Sequence, residues 1–311
     1  MLRSLISAKT FAFVILIVLL FSLGTPAASA TTKKKAAEPL QAETVNIYCR
    51  LKTGNKTISS SGSGVFIHNS GVILTNAHVA QYFLLLDADT SVKGECDVRT
   101  GSPAKANYTA SVLYIPTTWM KENATKIAKN TTSGTGEHDF ALLYVTGAEK
   151  GSLPLTFPAI TLDKNTLPQG APISVSGYPS ENLSFKQIQQ KLAQASASST
   201  ITGLRAFKQG AAQDVITIAP SSVGKFGVSG GPVLNEKSAL IGIVATKSSA
   251  KDGTTLRAIS TSYIDTSIRS ELGLSLEGLL SSNFASRAGI TQKTVPEDFI
   301  DALETSLRKK K

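Results

Sequence analysis

The chain has 311 residues, 41% of them hydrophobic, and a formal net charge of +10. Nine of its basic residues lie within the first 35 residues or the last four. The charge excess therefore belongs to the two ends, as solvated tails or weak contacts to an anionic cell surface, and does not predict a nucleic-acid-binding groove. The remaining chain of about 270 residues is long enough for one large β domain or two small ones.

The first thirty residues have the three-part pattern of a secretory signal peptide. Arg3 and Lys9 give a positive start, residues 11–23 form an apolar run too short to span a bilayer comfortably, and Ala28-Ser29-Ala30 is a small-residue cleavage site. The pattern predicts cleavage after Ala30 and a secreted, periplasmic or cell-surface protein. Retention of this segment as a membrane anchor is the alternative. Residues 31–43 lack apolar periodicity and predict a flexible linker.

Two cysteines, Cys49 and Cys96, each lie in a strand-like segment. An even number of cysteines in an exported chain favours one disulfide, which would close a loop that contains His78. Two separate buried thiols are the alternative. Neither cysteine is a good nucleophile candidate, because no basic or histidine-containing motif flanks it.

From Val45 onward the chain shows short β-type runs separated by turn residues. These runs cover residues 46–51, 64–67, 71–74, 110–115, 140–145, 173–176, 215–219, 232–234 and 240–245. Many short strands with frequent turns predict an all-β barrel or sandwich.

Three segments depart from the β pattern. Residues 117–130 are polar and predict a surface loop with a helical turn, and residues 185–197 predict a helix or a long hairpin insertion. Residues 296–307 predict a helix, because Pro296 suits its first position and acidic and basic residues flank its positive and negative ends. Its apolar stripe consists of Phe299, Ile300, Leu303 and Leu307. We expect this helix to dock on the body; a partner-binding helix is the alternative.

Three motifs carry the functional signal, and they follow one another over about 150 residues. They are Thr75-Asn76-Ala77-His78-Val79, Glu137-His138-Asp139-Phe140-Ala141-Leu142-Leu143 and Gly227-Val228-Ser229-Gly230-Gly231-Pro232. In sequence and in the order His, Asp, Ser they resemble the chymotrypsin/trypsin-like serine protease superfamily. The likeness is closest to the bacterial HtrA/DegP-like peptidases, here without a PDZ domain.

The resemblance implies a fold of two packed six-stranded antiparallel β-barrels with the site between them. We expect the barrels at about residues 45–147 and 155–264, inside a protease domain of residues 44–270. A C-terminal helical tail of residues 271–311 follows.

The resemblance also implies a role for each motif residue. Ser229 is the expected nucleophile, His78 its general base, and Asp139 the carboxylate that orients the imidazole. The backbone N–H groups of Gly227 and Ser229 form the expected oxyanion hole. The other two histidines, His68 and His138, lack the surrounding pattern of His78.

The chain departs from the family immediately before the nucleophile, where Val228 replaces the Asp of trypsin-like enzymes or the Asn of the HtrA/DegP-like branch. In trypsin-like enzymes that Asp pairs with an N-terminus released on activation, and this chain has no Ile-Val-Gly-Gly-like start. A carboxylate at this position would therefore be unpaired, which agrees with its absence.

The substrate-binding residues follow from alignment to the family. Val223 and Phe226 are expected at the entrance of the specificity pocket, and Ala245, Thr246 and Lys247 on the strand that pairs with the substrate. No Asp lies at the pocket base, so a small or medium apolar residue before the cut is expected. Lys247 replaces a usual Gly and is expected to narrow the pocket or to favour an acidic residue.

The leading hypothesis is an exported serine endopeptidase that cleaves polypeptides through an acyl-enzyme, without a metal or an organic cofactor. A catalytically inactive binding module on the same scaffold is the main alternative, motivated by Val228 and the altered pocket strand. A membrane-tethered quality-control protease is a third hypothesis, which requires the signal segment to be retained.

Overall fold

Two closed antiparallel barrels of six strands each make up the computed structural model. The structure describes residues 42–88, 90–131, 135–208, 213–250 and 253–309, and side chains are described in all of these except residues 246–250 and 253–254. The predicted signal peptide and residues 31–41 of the predicted linker lie outside the described residues. The prediction of a two-barrel all-β fold is confirmed.

The first barrel has the strand order β1-β2-β3-β6-β5-β4 and the second the order β10-β11-β12-β9-β8-β7. The first six strands are β1 (Thr44–Thr53), β2 (Lys56–His68), β3 (Val72–Thr75), β4 (Lys93–Thr100), β5 (Lys105–Tyr114) and β6 (Ala141–Ala148). The second six are β7 (Pro172–Gly177), β8 (Ala195–Arg205), β9 (Val215–Ile218), β10 (Pro232–Leu234), β11 (Leu240–Ala250) and β12 (Gly253–Ser260).

Alternating side chains fill each barrel. On β1, Val45, Ile47, Cys49 and Leu51 all point into the core of the first barrel, as the two-residue period of a strand requires. A separate cluster fills the second barrel. A third apolar cluster joins the outer faces of both barrels, including Val65, Leu74 and Leu142 of the first and Leu240 and Ile243 of the second. This third cluster fixes the two barrels against each other.

Seven helices in the described part of the chain lie between or after the strands. They are α1 (Ala77–Asp87), α2 (Thr117–Ala128), α3 (Phe185–Lys191), α4 (Thr261–Leu272), α5 (Leu276–Leu280), α6 (Phe284–Thr294) and α7 (Glu297–Lys309). None of these described helices is both long and apolar enough to cross a membrane.

The prediction of a surface loop over residues 117–130 is wrong, because most of this segment forms α2 with Trp119, Met120 and Ala124 buried. The helix α7 covers it, and the rings of Trp119 and Phe299 meet at 5.7 Å between centroids. The predicted docking of the C-terminal helix is confirmed, since Phe299, Leu303 and Leu307 are buried in the core of the first barrel. In the 185–197 segment a short helix, α3, precedes strand β8.

The predicted disulfide between Cys49 and Cys96 is present. The two residues are direct partners across β1 and β4, with 4.0 Å between their Cα atoms, so the bond crosses the seam that closes the first barrel. It closes a loop of 47 residues, which restricts the unfolded chain.

Replacing both cysteines with alanine is expected to lower the free energy of unfolding by about 2–4 kcal/mol, because the unfolded chain regains the entropy of the open loop. Urea denaturation of both proteins, with and without a thiol reductant, measures the difference. The reductant should destabilise the wild type alone. Equal unfolding free energies under oxidising conditions would contradict the prediction.

Candidate active site

His78 is the second residue of α1, which begins directly after β3. At this helix end the first backbone N–H groups have no partner within the helix. The His78 N–H donates instead to Oδ1 of Asp139 at 2.9 Å, while the neighbouring Asn76 side chain donates to the Asp139 carbonyl at 2.8 Å. Two hydrogen bonds therefore attach the segment that carries Asp139 to the N-terminus of α1. The positive end of the helix also favours a carboxylate at this place.

The second carboxylate oxygen of Asp139 lies 2.7 Å from Nδ1 of His78. Burial of the imidazole lowers the pKa of His78, but the charge of Asp139 and its hydrogen bond outweigh this effect, so the net shift is upward. Asp139 is buried, whereas the His78 side chain remains 39% exposed. The pair can accept a proton from a group in the adjoining cavity.

His138, which precedes Asp139, has a left-handed backbone with φ of 58°. Its Nδ1 atom lies 3.0 Å from the Ser267 hydroxyl and 3.1 Å from that of Tyr263, both on α4. These contacts tie the Asp139 segment to the second half of the chain. The sequence motif predicts no role for His138, because the two hydroxyl groups that bind it lie more than 120 residues away.

The loop that carries Ser229 precedes β10, and backbone hydrogen bonds hold the peptide group between Ser229 and Gly230. The Ser229 carbonyl accepts from the Ser63 N–H at 2.7 Å, and the next N–H, of Gly230, donates to Val244 at 2.7 Å. Glycine is required at 227 and 230, where φ is 96° and 83°. A Cβ at Gly227 would also collide with the Tyr178 carbonyl.

Val228 is 2% exposed and packs in the core of the second barrel. The side chain that precedes Ser229 thus anchors the loop by apolar burial. A carboxylate at the same place would be desolvated among the apolar side chains of this cluster.

Replacing Val228 with aspartate is expected to lower the free energy of unfolding by about 3–5 kcal/mol at neutral pH, as an uncompensated buried charge does. Asparagine is the matched control, because it has the shape of aspartate without the charge. The cost of aspartate relative to asparagine should shrink as the pH falls and the carboxyl is protonated. Chemical denaturation across pH tests this, and equal stability of the two variants at neutral pH would contradict it.

His78, Asp139 and Ser229 line one cavity of about 650 Å³, together with Gly227 and Val228. The helices α2 and α7 form part of its wall through residues that include Trp119, Ile127, Leu303 and Leu307. The structure therefore brings the three motifs together at one open cleft, to which both barrels contribute.

The expected substrate-binding residues divide into three groups. Phe226, which is 63% exposed, and Ala245 line the cavity. Val223 does not line the cavity, because its side chain is fully buried in the core of the second barrel. Thr246 and Lys247 lie on β11, where their backbones pair with Arg257 and Leu256, but their side chains lie outside the described part. Within the described residues no cluster of His, Cys, Asp or Glu could hold a metal ion.

Residues 62–243 match the family model of the trypsin-like peptidase domain. The match covers more than half of the chain, runs from β2 into β11, and includes all three motifs. No curated protein matches the chain.

Proposed function

This chain belongs to the trypsin-like peptidase family, and from that membership we propose that it is an exported serine endopeptidase that cleaves polypeptides through an acyl-enzyme intermediate. The observation that carries the proposal is the hydrogen-bonded pair of His78 and Asp139 on the same cavity as Ser229. The closer likeness to the HtrA/DegP-like branch stays a prediction.

In the proposed reaction the Ser229 hydroxyl oxygen attacks the carbonyl carbon of the scissile peptide bond, and Nε2 of His78 takes its proton. Asp139 holds Nδ1 and stabilises the imidazolium. When the tetrahedral intermediate collapses, His78 gives the proton to the leaving amine and the acyl group stays on Ser229. A water molecule, deprotonated by His78, then attacks the ester and releases the carboxylic acid product and Ser229.

The backbone around Gly227 supports the proposed oxyanion hole. The carbonyl of Phe226 accepts from the Ser180 N–H at 2.7 Å. In a trans peptide the N–H points opposite to the carbonyl, so the Gly227 N–H faces away from Ser180. Among the described residues neither this N–H nor that of Ser229 has a hydrogen-bond acceptor in the protein. Both remain available for a developing oxyanion.

The disulfide between Cys49 and Cys96 supports export, because such bonds persist in oxidising compartments. The signal-like first thirty residues agree with it. Determining the N-terminus of the mature protein separates a released enzyme, which starts near Thr31, from a membrane-anchored one. Phe226 and Ala245 are the proposed contacts of the substrate, for which a small or medium apolar residue before the cut is the proposed preference.

Labelling with a fluorophosphonate tests the proposal, because this reagent reacts with serines that are activated by a base and an oxyanion hole. The wild type should be labelled, and Ser229→Ala should not. A folded wild type that is neither labelled nor able to cleave an unfolded protein would favour the alternative of an inactive binding module.

A further inference from the structure

Ser63 lies on β2 of the first barrel, yet it contacts the nucleophile loop of the second. It is fully buried, and each of its polar groups has a partner. Its N–H donates to the Ser229 carbonyl at 2.7 Å, and its carbonyl accepts from the Thr75 hydroxyl at 2.7 Å. Thr75 ends the strand that leads to His78. One residue is thus bonded to the segments that carry the expected base and the expected nucleophile.

The hydroxyl of Ser63 has its direction fixed by its two partners. It accepts from the Tyr178 N–H at 2.9 Å, which can only donate, and donates to the Gly227 carbonyl at 2.8 Å, which can only accept. The peptide that follows Gly227 is therefore pinned by Ser63, while the peptide that precedes it is pinned by Ser180. Both peptide planes around the expected oxyanion donor are held.

We propose that Ser63 is a positioning residue of the oxyanion hole, whose hydroxyl couples the docking of the first barrel to the orientation of the Gly227 peptide. This inference rests on the proposed function. Ser63 touches no reacting atom in it; the residue acts through the loop. Without the hydroxyl, the Gly227 carbonyl loses its donor, and the loop can turn the neighbouring N–H groups away from the cleft.

The test compares Ser63→Ala with Ser176→Ala, since both serines are fully buried and hydrogen-bonded. The Ser176 hydroxyl bonds to the Ala195 carbonyl at 3.2 Å and to the Ser196 hydroxyl at 2.9 Å, and it accepts from the Gln194 side-chain amide at 3.0 Å. The control variant therefore reproduces the general loss of a buried hydroxyl without altering the contacts of Gly227.

Ser63→Ala is expected to lower kcat about 10- to 100-fold, somewhat less than removal of an oxyanion donor itself, with KM nearly unchanged. Affinity for a peptide boronate, which forms a tetrahedral adduct, should fall in proportion to kcat. The acid limb of the pH profile should not move, because the pair of His78 and Asp139 is untouched. Ser176→Ala should keep wild-type kcat.

Amide hydrogen exchange of a peptide spanning residues 226–231 provides a readout independent of activity. Exchange should accelerate in Ser63→Ala relative to Ser176→Ala. Unchanged kcat and unchanged exchange in Ser63→Ala would overturn the inference, as would equal effects of both variants. A wild type without activity would overturn the proposed function, and the exchange comparison would then decide the positioning role alone.

Discussion

Ser229→Ala is expected to lower turnover of a peptide substrate by about 10⁶-fold, the loss typical of removing the nucleophile from a triad. The reason is that no other nucleophile is proposed in the cleft, so the acyl-enzyme cannot form. Residual cleavage above that of water would come from substrate binding and the oxyanion donors. The fold should persist, because Ser229 is only partly buried and the loop is held by its backbone.

Ser222→Ala is the matched control, since Ser222 is an exposed serine of the same segment. It should retain wild-type turnover. Active-site titration gives the fraction of competent enzyme, and thermal denaturation verifies folding. If Ser229→Ala cleaves as fast as the wild type, Ser229 is not the nucleophile and the proposed mechanism fails.

Asp139→Asn is expected to lower kcat/KM by about 10⁴-fold at neutral pH. The amide oxygen can still accept from the His78 N–H, so the local fold is retained. The amide nitrogen, however, would face Nδ1 of His78 and favour the tautomer that carries its proton on Nε2. That tautomer cannot take a proton from Ser229.

The pH dependence gives this prediction a second measurable consequence. Asp139 raises the pKa of His78, so the wild-type rate should fall as the pH drops through a value above about 6.5, the ordinary pKa of histidine. Asparagine removes the charge and leaves burial, which lowers the pKa, so the acid limb should move to lower pH. An unchanged limb would show that Asp139 does not set the titration of His78.

Stability should follow the same sign. A folded-state pKa raised above the unfolded value stabilises the fold below the unfolded pKa, and the gain is lost as the pH rises through the folded pKa. The loss of unfolding free energy in Asp139→Asn should therefore be larger near pH 6 than near pH 9. Chemical denaturation at the two pH values measures it.

The sequence predicts the two barrels and also that His78, Asp139 and Ser229 line one cavity, because the signals for both are local. Short alternating runs specify strands. Within the motifs, apolar runs that form strands lie next to His78 and Asp139, and glycines flank the segment that carries Ser229. The disulfide was predictable from compartment and cysteine number, and its place on β1 and β4 follows from their register.

The remaining features depend on contacts between distant segments. The helix α2 has many polar residues, and its buried face is recognisable only because α7, 180 positions later, covers Trp119. Ser63 stands in a run of serines and glycines, and nothing local distinguishes its hydroxyl from its neighbours. Alignment to the family predicts Val223 at the pocket entrance, but its side chain packs in the core of the second barrel.

The position of α7 sets an order on folding. The last strand of the first barrel ends at Ala148, yet its core includes Phe299, Leu303 and Leu307. A chain is synthesised from its N-terminus, so the α7 residues that complete this core are made only after the whole second barrel. Such distant contacts make folding slow. During synthesis the first barrel would lack part of its core, and the cleft would lack part of its wall, until residues 297–309 have been made.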